Sequence, residues 1–155
     1  FMPNMKLVYP CLKINFQQVF ESIEKYKCNY IFSMPVNMIY LMNHPLKPRY
    51  NLSSLKILYT GGQAVSAEVA NRLKRELNLE RMILVYGMTE ILIVSYKSYN
   101  LNNFNEASYQ YGIGRLIPGI EYKVIDRKTG DLQYFDIEGE LCVRGYNNTK
   151  EYWNE

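Results

Sequence analysis

Histidine occurs once, at His44, and cysteine only as Cys11, Cys28 and Cys142, which form no Cys-x-x-Cys pair. An odd number of cysteines without ligand spacing argues against a disulfide framework or a zinc site and fits a reducing compartment. The single histidine lies in an Asn43-His44-Pro45 segment, where a helix-end or surface role fits better than a general base. No apolar run approaches the length of a membrane span, so no integral membrane segment is expected. No block of like charge is present either. The net charge is +3, and Arg72, Lys74 and Arg75 fall on the solvated side of one expected helix. Nucleic-acid or membrane-surface recognition gains little support from such a distribution. Internal repeats and low-complexity linkers are missing, and Phe1-Met2-Pro3-Asn4-Met5-Lys6 is not a signal peptide.

The sequence does hold enough apolar material for a core. Of its 155 residues 48% are hydrophobic and 21% charged, the balance of one ordinary globular domain. Val19, Ile23 and Tyr26 recur at helical spacing and predict an amphipathic helix over Gln17–Lys27. Tyr30-Ile31-Phe32 reads as a short strand. Pro35, tolerated in a first helical turn, leads a mostly apolar helix over Val36–Met42 that ends before His44-Pro45. Leu55–Tyr59 is a strand broken by Thr60-Gly61-Gly62. Ser66 is a candidate N-cap with Glu68 in the first turn, and Val69, Leu73 and Leu77 trace the apolar stripe of the helix behind it. Met82–Tyr86 is a further strand, ending at Gly87. Such alternation predicts a parallel sheet with helical crossovers.

After Tyr96 the pattern changes to a polar loop with Asn100, Asn102, Asn103 and Asn105, and from Gly112 on to β-structure. Alternating Glu121–Asp126 and Glu140–Arg144 flank a turn at Thr129-Gly130-Asp131. The expected fold class is therefore α/β: a partial parallel-sheet α/β subdomain over residues 1–105, then a partial β-barrel-like subdomain over residues 106–155. Phe1–Lys6 and Glu151–Glu155 both read as cuts through a longer chain.

Two strand-ending loops carry the candidate chemistry. Thr60-Gly61-Gly62-Gln63 follows one strand and Tyr86-Gly87-Met88-Thr89-Glu90 the next. In a parallel sheet ligands sit beyond the carboxyl ends of strands, and neighbouring strands would turn both loops to one crevice. Glycines let backbone approach a flat ring or a phosphate. A tyrosine at a strand end offers an aromatic face to a base. A threonine hydroxyl can donate to a phosphate oxygen, and a glutamate beside it can hold Mg²⁺, which takes few carboxylates together with phosphates. Taken alone, Gly-Gly after a strand is most often a plain turn.

In order, the chain resembles the adenylate-forming superfamily, and within it the medium-chain and related acyl-CoA synthetases. The matching runs are Leu55-Lys56-Ile57-Leu58-Tyr59-Thr60-Gly61-Gly62-Gln63-Ala64-Val65-Ser66, Val85-Tyr86-Gly87-Met88-Thr89-Glu90, Gly112-Ile113-Gly114-Arg115-Leu116-Ile117-Pro118-Gly119 and Gly139-Glu140-Leu141-Cys142-Val143-Arg144-Gly145-Tyr146. Glu151-Tyr152-Trp153 resembles the family's Gly-Tyr-Trp, with Glu in place of Gly. The resemblance covers nearly the whole chain. It implies a central fragment of an enzyme that activates a fatty acid with ATP to an acyl-adenylate and passes the acyl group to coenzyme A, an AMP-forming acid–thiol ligase. Carried across, Gly61, Gly62 and Gln63 would line adenine and the mouth of the acyl pocket. Tyr86 would stack on adenine beside Gly87, Thr89 would touch phosphate, and Glu90 would bind Mg²⁺; Thr89 and Glu90 are the catalytic candidates. Helix Val36–Met42 would wall the acyl pocket, while Gly139-Glu140 and Arg144 would be structural. The implied partners are small molecules, and the implied location is intracellular, mitochondrial or cytoplasmic.

Several positions depart from the family pattern. Gln63 stands where a small residue is commoner, and Ile91-Leu92 where small or polar residues are usual. Thr129-Gly130-Asp131 has the letters of the family's ribose-binding motif but precedes Gly139-Glu140-Leu141, so a hairpin turn is the expectation. The phosphate loop, the ribose aspartate and the catalytic lysine are not in this sequence, and the segment alone is expected to be inactive. Two alternatives remain open: a non-catalytic or binding-only remnant, and another adenylating enzyme such as a coumarate-CoA ligase or a peptide-synthetase adenylation domain.

Overall fold

The computed structural model describes residues 5–106, 109 and 112–154. Phe1–Asn4 and Glu155, the outermost residues of the two expected cuts, lie outside them. The chain forms two compact units, Phe1–Ile83 with Ser98–Tyr111 and Leu84–Lys97 with Gly112–Glu155.

The first unit opens with helix α1 (Phe16–Tyr26). The Asn15 side chain accepts the Gln18 N–H at 3.2 Å, satisfying an orphan donor of the first turn, and Lys27 ends the helix in the left-handed region. Strand β1 (Tyr30–Phe32) follows, then helix α2 (Pro35–Asn43), whose proline sits in the first turn as expected. His44 ends α2. Its ring lies 5.6 Å from Phe16 and 5.4 Å from Phe20, and its Nδ1 accepts the Leu46 N–H. The histidine is thus a packing and capping group, in keeping with its sequence reading.

Strand β2 (Ile57–Gly61) pairs parallel with β1, Tyr30 opposite Ile57 and Phe32 opposite Tyr59. Helix α3 (Ala67–Leu77) carries the crossover. Ser66 caps it by accepting the Val69 N–H at 3.2 Å, and Asn78 closes it in the left-handed region. Strand β3 (Arg81–Tyr86) then starts beside β2, for the Glu80 and Arg81 N–H groups both donate to Lys56 O. The core of this unit is Phe20, Met38, Leu41, Leu55, Leu58, Leu73 and Met82, all essentially inaccessible. Burying one such leucine contributes about 2 kcal/mol.

β3 runs from the first unit into the second. Strand β4 (Ser95–Asn100) returns alongside it: Val94 N–H donates to Tyr86 O and Leu101 N–H to Glu80 O. Strand β5 (Arg115–Leu116) pairs antiparallel with β4, giving the sheet order β1-β2-β3-β4-β5. The architecture is α/β with a parallel-leading sheet, as expected, and an antiparallel margin that was not. Strands β6 (Ile120–Ile125) and β7 (Glu140–Gly145) form an antiparallel ladder. After β6 the chain reverses at Thr129-Gly130-Asp131. Gly130 has φ +77°, and the Asp126 carboxylate accepts the Lys128 and Thr129 N–H groups at 2.6 and 3.0 Å. Ile125 bridges Leu132 beyond it. All three cysteines are free.

Candidate functional site

Within the second unit the loop after β3 is held on every side. Tyr86 O accepts the Val94 N–H at 2.8 Å, and Met88 O accepts Ile91 N–H at 3.2 Å and Leu92 N–H at 2.7 Å. The chain folds back so closely that a Cβ on Gly87 would overlap the Leu92 carbonyl oxygen. Leu92 adopts φ +58°. The turn leaves Thr89 and Glu90 exposed at its tip. Ile91 points the other way, into a cluster with Val94 and Ile120 against which Tyr86, Leu116, Ile117 and Val143 pack. The family departure at Ile91 is therefore an anchor in the core rather than a change in the lining, and Leu92 is solvent-exposed.

A segment distant in sequence straps this loop. Beyond β7, Asn147 Nδ2 donates to Ile91 O at 2.5 Å and to Ile93 O at 3.2 Å. Thr149 N–H donates to Glu90 O at 2.6 Å. Tyr152 Oη donates to Glu90 Oε1 at 2.6 Å. The hydrogen bond from Tyr152, helped by the backbone N–H of Glu90, holds the Glu90 carboxyl below its ordinary value against a smaller opposing effect of burial. The same bond pushes the Tyr152 hydroxyl up. Glu90 is thus a fixed, ionised carboxylate near neutral pH. Among the described residues there is no group of three or more His, Cys, Asp or Glu that could hold a metal. A lone carboxylate of this kind suits a hard cation whose other ligands are phosphate oxygens and water.

Gly61, Gly62 and Gln63 lie in the first unit, at and just beyond the carboxyl end of β2. Gly62 has φ +81°, and a Cβ there would stand 3.9 Å from Met34 Cε. Because β1 and β2 run parallel, the exposed Phe32 and Met34 lie at the same end as these glycines. Gln63 is exposed, and Thr60 just before it is fully buried, its hydroxyl without a hydrogen-bond partner among the described residues. The structure thus brings Tyr86, Gly87, Thr89 and Glu90 into one loop and Gly61, Gly62 and Gln63 into another.

Residues given structural roles occupy them. Arg144 Nε donates to Glu121 Oε2 at 2.7 Å across the β6–β7 ladder, and a Cβ on Gly139 would come within 2.5 Å of Ile125 O. Asn147, Thr149 and Tyr152 are the functional candidates that residue patterns missed. Tyr152 had a signal only in the Tyr-Trp pair of the family resemblance.

A family model described as AMP-binding enzyme matches residues 5–153. Medium-chain acyl-CoA ligase ACSF2, mitochondrial, of Danio rerio is 26% identical over 149 residues, covering 96% of this chain and 24% of that protein. The acyl-CoA ligase sidI of Aspergillus fumigatus is 26% identical over 149 residues, covering 96% of this chain and 25% of that protein. The chain thus spans about a quarter of the length of the curated relatives it matches. Among solved structures, the luciferase-like enzyme from the nonluminescent mealworm Zophobas morio superposes with TM-score 0.75 at 24% identity, over 93% of this chain and 35% of that one. The amide bond synthetase McbA from Marinactinospora thermotolerans superposes with TM-score 0.70 at 23% identity, over 92% and 28%. At these identities the structural matches speak to fold.

Proposed function

The chain belongs to the AMP-binding enzyme family, and from that premise we propose that the protein carrying it is an AMP-forming acid–thiol ligase acting on fatty acids. The observation that supports this reading best is the Tyr86–Glu90 loop. It lies at the carboxyl end of a sheet strand and presents a threonine hydroxyl beside a fixed, ionised carboxylate. In the proposed reaction a carboxylate oxygen of the acid attacks the α-phosphorus of ATP and pyrophosphate leaves, giving an acyl-adenylate. The thiolate sulfur of coenzyme A then attacks the acyl carbon and AMP leaves.

Each site residue has a part that its chemistry fits. Tyr86 offers a ring face to adenine, and Gly87 keeps the backbone behind it free of a side chain. The Thr89 hydroxyl donates to a phosphate oxygen. Glu90 would hold Mg²⁺, which when bound neutralises charge on the phosphates. Gly61, Gly62 and Gln63 would line adenine and the acyl mouth, where Phe32 and Met34 supply apolar surface. Preorganised groups of this kind lower the barrier by positioning and electrostatics. The names of the curated relatives, medium-chain acyl-CoA ligase and acyl-CoA ligase, support the fatty-acid and coenzyme A assignments. The mitochondrial label of the first supports a mitochondrial location over a cytoplasmic one.

The test is product analysis with the protein that carries this chain, given ATP, Mg²⁺, coenzyme A and a panel of acids. AMP and a fatty acyl thioester are the expected products. A thioester formed only from coumarate, or an adenylate formed only from an amino acid, overturns the fatty-acid assignment. No turnover of any acid favours the binding-only reading.

A further inference from the structure

Glu90 can serve a metal only if its carboxylate is held in one place, and its own loop offers it no more than the Glu90 backbone N–H. Thr89 and Glu90 sit exposed at the tip of a turn whose internal hydrogen bonds fix the backbone from Tyr86 to Val94. The restraint comes from residues 147–152. Asn147 reaches both Ile91 O and Ile93 O through one amide nitrogen, Thr149 N–H takes Glu90 O, and Tyr152 Oη takes Glu90 Oε1. The bonds from Asn147 and Thr149 fix where the loop is, and the bond from Tyr152 fixes the carboxylate. A phenol can donate only one proton. Tyr152 therefore engages one carboxylate oxygen and leaves lone pairs on the group for another ligand. Tyr152 is itself about half exposed (47%), so its hydroxyl is not explained as a buried donor in need of an acceptor.

We propose that Tyr152 is a positioning residue for the metal–nucleotide complex: its hydroxyl orients the Glu90 carboxylate, and the Asn147–Thr149 stretch sets the distance at which it does so. The inference rests on the reading of Glu90 as the carboxylate that meets a divalent cation on ATP. Outer partners that orient a metal ligand typically change metal affinity by about 10- to 100-fold when removed.

The experiment uses the protein that carries this chain, with Mn²⁺·ATP as the probe, Mn²⁺ electron paramagnetic resonance as the readout, and AMP binding without metal as the control for an intact nucleotide site. Tyr152→Phe keeps the ring and removes the hydroxyl. The expected result is Mn²⁺·ATP binding weakened about tenfold with AMP affinity unchanged. Glu90→Gln should weaken Mn²⁺·ATP at least as much, and adding Tyr152→Phe to it should cost nothing further, since the hydroxyl then has no metal ligand to orient. Unchanged Mn²⁺·ATP binding in Tyr152→Phe, while Glu90→Gln is impaired, overturns the proposal and leaves the role of Glu90 standing. Equal losses of AMP and Mn²⁺·ATP binding in Tyr152→Phe make the tyrosine merely structural and also overturn it. Wild-type Mn²⁺·ATP binding in Glu90→Gln removes the underlying reading and the proposal with it.

Discussion

A Cβ placed on Gly87 would overlap the carbonyl oxygen of Leu92 and stand 2.6 Å from its carbonyl carbon. The obstacle is backbone, and Ile91 anchors that backbone in the core, so the neighbour cannot move aside cheaply. Gly87→Ala is expected to destabilise by about 3 kcal/mol, at the upper end of ordinary overpacking costs. Gly130→Ala offers the contrast, because Gly130 has φ +77° and open space around it. Only the left-handed backbone is then penalised, about 1 kcal/mol. Denaturant midpoints of the two variants at unchanged slope measure the difference. Equal losses would contradict the crossing of Gly87 and Leu92.

The Ser66 hydroxyl caps the start of α3, accepting the Val69 N–H at 3.2 Å. Its replacement by alanine leaves that donor without a side-chain partner and should cost about 1 kcal/mol. Chemical denaturation checks this, and a Ser66→Ala protein as stable as the parent would show that the cap contributes nothing.

These two positions differ in how far the sequence announces them. Ser66, with Glu68 behind it and Val69, Leu73 and Leu77 on one face, states a helix start in local residues, and the structure follows. The parallel sheet, the crossover helix α3 and the Gly130 turn are legible for the same reason: each follows from local patterns and their alternation along the chain. Strand β4 was not, since Ser95-Tyr96-Lys97-Ser98-Tyr99-Asn100 has no aliphatic residue and takes its strand form from its neighbours in the sheet. Ile91 looked like a disturbance of the site because nothing nearby in sequence reveals that it faces Ile120. The restraint of Glu90 by Tyr152 joins residues 62 positions apart, a relation no periodicity carries.

Acid should unfasten the turn after β6. The backbone N–H groups of Thr129 and then Lys128 hold the Asp126 carboxyl below its ordinary value of 3.8. A carboxyl depressed in the folded state adds stability that is fully present above its ordinary value and is lost as pH falls through its folded value. The melting temperature of the parent should therefore exceed that of Asp126→Ala by a constant margin from neutral pH down to about pH 4, with the margin shrinking below it. A margin that does not change with pH would mean that the charge of Asp126 is not what fastens the turn.

Gln63 carries a prediction about substrate. It is exposed just beyond Gly62, at the strand end that also presents Phe32 and Met34. If it borders the acyl mouth as proposed, Gln63→Gly lengthens an apolar path. The ratio of kcat/KM for a longer over a shorter fatty acid should then rise about tenfold, the lower end of what one or two methylenes contribute in a pocket. A ratio unchanged across the chain-length series would place Gln63 away from the acyl group.

The most direct test of the central claim is ATP–pyrophosphate exchange by the protein that carries this chain, because exchange reports adenylate formation without the thiol step. Fatty-acid-dependent exchange is predicted in the parent, with a loss of about 100-fold in Glu90→Gln, the scale of removing one preorganised electrostatic group. Absence of exchange with every fatty acid, or exchange undiminished in Glu90→Gln, would contradict it.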